Sequence, residues 1–330
     1  MRKKAFLWIL IAVLIAVLLV AGVNYYVTTV TSSFKRRLVI STTTSLFDTG
    51  LLDRIEDRFE AEYPIDLYFI SVGTGLAIKF AQRGDADMIL VHAPPLEEEF
   101  LEGGYGVCRK IIAYNFFFIV GPDSDPAGIE GLSPVEALTR IVEAGRAGKA
   151  VWVSRGDNSG THSKEKALWR TAGFEWEELK EEEWYRESGT GMGKTLQITN
   201  EFSAYTLTDT GTYLKYKKEE LIDLVPLVEE GEELINVYSA IAVNPAKHSE
   251  VNFEDAITFI KYLISDQGQQ VIANYGKDQY GTALFNPVVQ LLKNRTDPKL
   301  VEWIENYAFF NGSECPQEYR DDHWEMYNQK

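Results

Sequence analysis

Serine, arginine, aspartate and glycine crowd into one stretch of the chain, Ser154-Arg155-Gly156-Asp157-Asn158-Ser159-Gly160-Thr161-His162. Three chemistries use these residue types. Arg155-Gly156-Asp157 is the cell-adhesion tripeptide. Gly156 to Gly160 approaches the Gly-x-Ser-x-Gly turn of serine hydrolases. The whole set would also suit a loop that holds an oxyanion, because hydroxyls donate without bulk, glycine lets backbone N–H groups come close, and arginine offers a planar fork. The hydrolase reading fails on spacing: an extra residue precedes Ser159 and the partner glycine is missing. Its base would have to be His162, three residues away on the same turn, since the other histidines are His92, His248 and His323. Cys/His spacing of the kind that holds zinc is absent, and an isolated RGD tripeptide is common by chance. The oxyanion reading remains.

Two more loops share its character, Ser41-Thr42-Thr43-Thr44-Ser45 and Ser71-Val72-Gly73-Thr74-Gly75. Each of the three follows an apolar strand pattern and precedes a helical one. In doubly wound folds the strand ends open onto a crevice at which helix N-termini point, with unpaired N–H groups and partial positive charge. Serine and threonine at a helix start are ordinary caps, but five hydroxyl residues in a row exceed what one cap requires. A further segment, Gly189-Thr-Gly-Met-Gly-Lys194-Thr195, resembles a phosphate-cradling GxxxxGK[ST] loop. It is set aside because Ser188 stands where the first glycine belongs and the preceding residues read as a charged helix rather than a strand.

Positioning such loops takes an alternation of strands and helices, and the chain from Leu38 onward has it. Strand LVIS, helix LLDRIEDRFEAEY, strand IDLYFISV, helix LAIKFAQRG and strand ADMILVHAP succeed one another. Later come KIIAYNFFFIVG, a helix capped by Ser133 with Pro134 at its first position, AVWVS, the helices HSKEKALWRTAG and WEELKEEEWYRE, AYTLTD, VYSAIAVNP, and a pair of helices or one bent helix from Phe253 to Gly276. This predicts an α/β fold of parallel sheets with helices on their faces. Its size predicts two lobes, with crossings near Tyr114 and Val237.

Ahead of this body, Met1-Arg-Lys-Lys4 precedes 19 uncharged residues, Ala5 to Val23. That is enough for a helix of about 28 Å, close to the hydrocarbon thickness. Residues 1–37 are read as a signal peptide or a membrane anchor (residues 5–23) with a short linker, the remainder lying outside the cytoplasm, secreted or periplasmic if cleavage occurs. Residues 1–37 hold six of the 33 basic residues and no acid, so the body sets 27 basic against 49 acidic residues, about −22. Such a surface repels nucleic acid and anionic lipid, and an anion site within it has to work through local dipoles. Cys108 and Cys315 are the right number for one disulfide or are two free buried thiols. Asn294 and Asn311 lie in glycosylation sequons, and residues 311–330 read as a polar surface extension.

Taken together, the segments ISTTTSLFDTGLLD, SVGTGLAIKFAQRGDADMILVHAP, SRGDNSGTHSKEKALW, GMGKTLQITNEFSAYTLTD and AVNPAKHSEVN resemble, in order, the tungstate-binding proteins of ABC importers, the TupA type. The likeness runs from about Leu38 to Gly276. It implies a type II periplasmic-binding-protein-like α/β fold of two lobes joined by a hinge, lobe 1 from 38–114 plus 238–310 and lobe 2 from 115–237. It implies a monomeric, non-enzymatic receptor without cofactor that delivers tungstate or molybdate to an ABC permease. Thr43, Thr44, Ser45 and Thr74 from one lobe, with Arg155, Ser159 and Thr161 from the other, would contact the anion. Asp157, Thr208 and Asp209 would support them. The family often has a basic residue after that last aspartate; here it is Thr210, and Lys194 is not assigned to the site. Tungstate and molybdate carry no proton at neutral pH and call for donors only. Phosphate rewards an acceptor such as Asp157, so a phosphate-binding protein of the same fold is the alternative, as is an oxyanion-sensing ectodomain.

Overall fold

The computed structural model describes residues 16–22, 35–229 and 231–327. Most of the expected anchor at 5–23 lies outside the described residues. Among those described, no helix is long and apolar enough to cross a membrane.

Strand β1 (Arg36–Thr43) runs into the short helix α1 (Thr44–Asp48) and then α2 (Leu51–Glu60). Helix α2 forms where Leu51, Leu52, Ile55 and Phe59 recur at helical spacing, and all four are buried. There follow β2 (Ile65–Val72), α3 (Thr74–Gln82), β3 (Met88–Val91), α4 (Pro94–Glu102) and the 16-residue strand β4 (Gly106–Gly121). Helix α5 (Pro134–Arg146) starts with the Ser133–Glu136 capping box. The chain continues through β5 (Trp152–Ser154), α6 (Gly160–Thr171), β6 (Tyr185–Glu187), α7 (Met192–Glu201), β7 (Thr206–Asp209), α8 (Thr210–Lys218), β8 (Val225–Val228) and β9 (Ile235–Val243). After it come α9 (Phe253–Ile264), α10 (Asp266–Asn274), β10 (Asn286–Pro287) and α11 (Pro298–Ala308).

The main sheet has the order β10-β4-β9-β3-β1-β2, with β7 and β8 attached to the far end of β4. Strand β1 is parallel to β2 and β3, and β5 is parallel to β6. The pairs β3–β9, β4–β9, β4–β7 and β4–β8 are antiparallel. The sheet is therefore mixed, where alternation predicts parallel. The reason is β4 and β9: one carries the chain out of the first group of elements and the other returns it alongside, so they must run in opposite directions.

The apolar core falls into four groups, two main ones and two smaller ones around Phe100 and Met192. The main groups differ in make-up. One is built from residues such as Leu38, Phe59, Met88, Ile111, Tyr238, Phe259 and Ile304, the other from Phe117, Ile141, Trp152, Trp169, Leu207 and Leu234. Strand β4 contributes to both, Ile111 at one end and Phe117 and Ile119 at the other.

Four segments differ from expectation. Ser41 to Ser45, read as a loop, is the end of β1 running directly into α1, because Ser41 and Thr42 stay in register with β2 and β3 and Thr43 caps the helix. WEELKEEEWYRE is helical only over Trp176–Leu179 and ends in β6, because Trp184 and Tyr185 are drawn in against Trp169 and local helix preference loses to that burial. Helix α7, not anticipated, buries Met192, Thr195, Leu196 and Thr199 at helical spacing. The tail packs on β4 instead of trailing over the surface. Arg109 donates to the Glu314 carbonyl, Lys110 pairs with the Glu314 carboxylate, and the Tyr327 hydroxyl donates to the Arg109 carbonyl. Cys108 and Cys315 are free and buried, their sulfurs directed at the carbonyls of Arg320 and Tyr319. Both sequon asparagines, Asn294 and Asn311, are exposed.

Candidate anion site

Four loops meet where strands of the two main core groups end. Gly75 N donates to Asn158 O at 3.3 Å, which lays the loop before α3 on the loop before α6. Thr44, at the end of β1, accepts from Arg155 Nη2 at 3.2 Å. A Cβ added at Gly191, which caps α7, would lie 3.5 Å from Thr44 Oγ1, so the N-terminus of α7 joins the same junction.

Arg155 is at its centre and is 1% exposed. Its Nη2 also donates to Asp157 Oδ2 at 2.5 Å. The other oxygen, Asp157 Oδ1, accepts from Ser159 N at 3.1 Å, so this carboxylate holds both the arginine and the turn. Arg155 Nε and Nη1 have no hydrogen-bond partner, and neither do the hydroxyls of Thr74 and Thr161; all are buried. Buried donors left unpaired cost about 1–3 kcal/mol each, so a cluster of them at one junction marks where a ligand's acceptors belong.

The other hydroxyls have at least one partner within the protein. Ser159 caps α6, accepting from His162 N at 3.1 Å. His162 Nδ1 accepts from Asn158 N, so the His162 ring is not bonded to the Ser159 hydroxyl as a hydrolase base would be. Thr43 Oγ1 accepts from Leu46 N at 3.3 Å and lies 3.3 Å from Ser45 Oγ. Thr208 and Asp209 stand further back on β7. Asp209 caps α8, taking bonds from Thr212 N and Oγ1, and burial raises its pKa while Thr212 and the field of Arg155 lower it. Thr210 donates to the Phe116 carbonyl. A cation not anticipated here is Lys215, which donates to the Asp48 carbonyl; burial raises the Asp48 pKa, and Lys215 and Arg155 oppose the rise.

Sequence reasoning missed His92, which follows β3 and is fully buried. Asn236 Nδ2 donates to Asn115 Oδ1 and to the Tyr238 hydroxyl, each at 2.8 Å, leaving Asn236 Oδ1 as an acceptor. His92 Nδ1 therefore carries the proton in its 2.8 Å bond to that oxygen. Burial, opposed by the Asn236 bond and aided by Arg155, pushes the His92 pKa down to about 4, so the ring is neutral and its Nε2 is an acceptor. Ser45 Oγ, at 3.2 Å, donates to it, and Thr43 donates to Ser45 in turn. The signal was available: Val91-His92-Ala93 ends a strand at the same edge as the other loops.

The rejected phosphate-loop segment is preceded by a strand, β6, not a helix. Ser188 still occupies the glycine position, and its hydroxyl bonds Thr195 Oγ1 at 2.8 Å. Among the described residues no group of three or more His, Cys, Asp or Glu is placed to hold a metal.

A sequence family described as a PBP superfamily domain matches residues 28–267. An ABC transporter anion-binding protein of Haloferax volcanii is 45% identical over 258 residues, 76% of this chain and 72% of the relative. The tungstate-binding protein TupA of Peptoclostridium acidaminophilum is 40% identical over 256 residues, 77% of this chain and 86% of the relative. The solved structure of the tungstate-binding protein TupA of Desulfovibrio alaskensis G20 shares 41% identity and a TM-score of 0.65, covering 76% of this chain and 98% of that one.

Proposed function

The chain belongs to the PBP superfamily, and from that membership we propose that it is an extracytoplasmic receptor that captures tungstate and hands it to an ABC importer. The observation that carries this reading is the cluster of buried, unpaired donors: Arg155 Nε and Nη1, Thr74 Oγ1 and Thr161 Oγ1. Together with Thr44 they form the direct contacts. Thr43, Ser45 and Ser159 hold the loops, and Asp157, Thr208 and Asp209 support them.

Lobe 1 comprises 38–114 with 238–310, and lobe 2 comprises 115–237, in the type II arrangement. Strands β4 and β9 form the hinge. The open lobes take up the anion, closure buries it against Arg155, and the closed monomer docks on the permease. The segment 5–23 tethers the receptor to the membrane unless it is cleaved. No bond is made or broken, and no cofactor takes part.

The site favours an anion without a proton. Both oxygens of Asp157 already accept hydrogen bonds, from Arg155 and Ser159, so the one acid in these loops is engaged in holding the arginine and the turn. The remaining unpaired groups can all donate, two arginine nitrogens and two threonine hydroxyls, and none is an acid. Molybdate, of the same charge and shape, fits the same description, whereas monoprotonated phosphate is better served by a carboxylate acceptor for its proton. Calorimetric titration of the full chain with tungstate, molybdate, phosphate and sulfate at neutral pH tests this. Tight binding of tungstate, with or without molybdate, is expected; preference for phosphate would move the assignment to a phosphate receptor of the same fold.

A further inference from the structure

We propose that His92 couples anion binding to closure of the lobes, as a positioning residue that never touches the anion. This rests on the receptor reading above. Three features meet at the ring. First, it is a link in a chain of donors running one way, from Thr43 to Ser45 to His92 to Asn236. Asn236 lies on β9 and donates onward to Asn115 on β4, so the chain leads from the anion loop to both hinge strands. Secondly, the ring is stacked on Tyr238 at 4.8 Å and faces Phe117 at 6.3 Å, which fixes its plane. Thirdly, it meets the other lobe at Gly160, the first residue of α6. A Cβ there would lie 2.7 Å from Cε1, 2.8 Å from Nε2 and 2.9 Å from Nδ1 of His92.

Gly160 does not have a positive φ, so its backbone conformation makes no demand for glycine. The demand comes from the ring alone. Because the ring is stacked on Tyr238 and hydrogen-bonded at both nitrogens, it cannot retreat as a flexible side chain would. A methyl at 160 would therefore push the start of α6 away, and with it Thr161 and the Arg155 loop. The lobes reach their closed spacing only if His92 lies flat against a bare backbone. The same ring, as a neutral acceptor, fixes the hydroxyls of the first loop.

Gly160→Ala, His92→Ala, the double variant, His92→Gln and His92→Asn separate this role from a merely structural one. Full chains are titrated with sodium tungstate by calorimetry, with closure followed by the change in radius of gyration in solution scattering and folding by the melting temperature without anion. Gly160→Ala and His92→Ala are each expected to weaken tungstate by about 10-fold or more and to shrink the closure signal, while Gly160→Ala leaves the anion-free melting temperature within a few degrees. In the His92→Ala background the alanine at 160 should add little, because the space it needs is vacant. His92→Gln places an amide oxygen near the position of Nε2 and should restore part of the affinity; His92→Asn does not reach and should not. Wild-type affinity and closure in Gly160→Ala and His92→Ala, or strictly additive losses in the double variant, would overturn the coupling while leaving the receptor intact. A wild type that ignores tungstate would instead overturn the receptor reading, and this inference with it.

Discussion

The segment at 41–45, where β1 runs into α1, and the loop at 154–161 look alike in sequence and behave in opposite ways. The first is hydroxyl at every position, yet Ser41 donates to the Ala77 carbonyl, Thr42 to the Leu90 carbonyl, and Thr43 and Ser45 into the His92 chain. Only Thr44 turns to the other lobe. The second loop has fewer hydroxyls and leaves more unpaired: two arginine nitrogens and Thr161. The density of polar residues in a sequence thus measures how much a loop must bond, not what it has left to offer a ligand. The first loop is a frame, and the second is the hand.

The largest effect that would break this comparison is at Arg155. Its two free N–H-bearing nitrogens would make charge-assisted bonds, so Arg155→Ala should weaken tungstate by about 100-fold or more, at roughly 1.5–3 kcal/mol per bond. Calorimetry reads this directly, and an affinity within a few-fold of wild type would remove the centre of the site. Arg155→Lys should recover only part, since one ammonium cannot supply the planar fork.

Single hydroxyls sharpen the contrast. Thr74→Ala and Thr161→Ala remove unpaired donors and should each weaken tungstate by roughly 5- to 10-fold, the worth of about 1 kcal/mol. Both should leave stability unchanged or slightly improved, because an unpaired buried hydroxyl disappears. Ser41→Ala and Thr42→Val should do the reverse: tungstate affinity within about twofold of wild type, and stability lower by about 1 kcal/mol in urea unfolding, because the Ala77 and Leu90 carbonyls lose a donor. If all four variants behave alike, the two loops do not divide the labour as described.

The sequence exposed the second loop more readily than the first. Arg155 stands out because an arginine among glycines and hydroxyls has few structural uses. Helix α2, the Ser133 cap and the strands β2 and β4 were legible for a related reason: spacing and capping chemistry act locally and leave a local trace. Ser45 and His92 are 47 residues apart, and no local pattern announces that one accepts the other's hydrogen bond. Helix α7 and strand β6 were hidden likewise, since Trp184 and Tyr185 are ordered by Trp169, on another helix. The mixed sheet depends on how β4 and β9 cross, which belongs to the whole chain. What stayed illegible was whatever a distant partner decides.

The second loop's helix holds one more burden absent from the first, and it is read in the pH dependence of stability with no effect on affinity at all. Lys164 on α6 is buried, donates to the Ile235 carbonyl at 2.8 Å and rests 3.7 Å from the centre of the Tyr307 ring. Burial, opposed by Glu233, lowers its pKa from the ordinary 10.5 to about 7. Below pH 7 the ammonium is charged in both states, and the native state bears the full penalty of burying it. Between pH 7 and 10.5 the unfolded chain holds the proton that the native chain has given up, so stability rises with pH across that window. Lys164→Met keeps the stem and removes the titration. The wild type should therefore gain on Lys164→Met by up to about 1 kcal/mol per pH unit from pH 7.5 to 9.5 in urea unfolding, a slope bounded by 2.303RT. Parallel profiles would mean that Lys164 keeps its ordinary pKa. A confirmed slope would place the strain of the binding lobe in α6 itself, the element that carries Thr161 and touches His92.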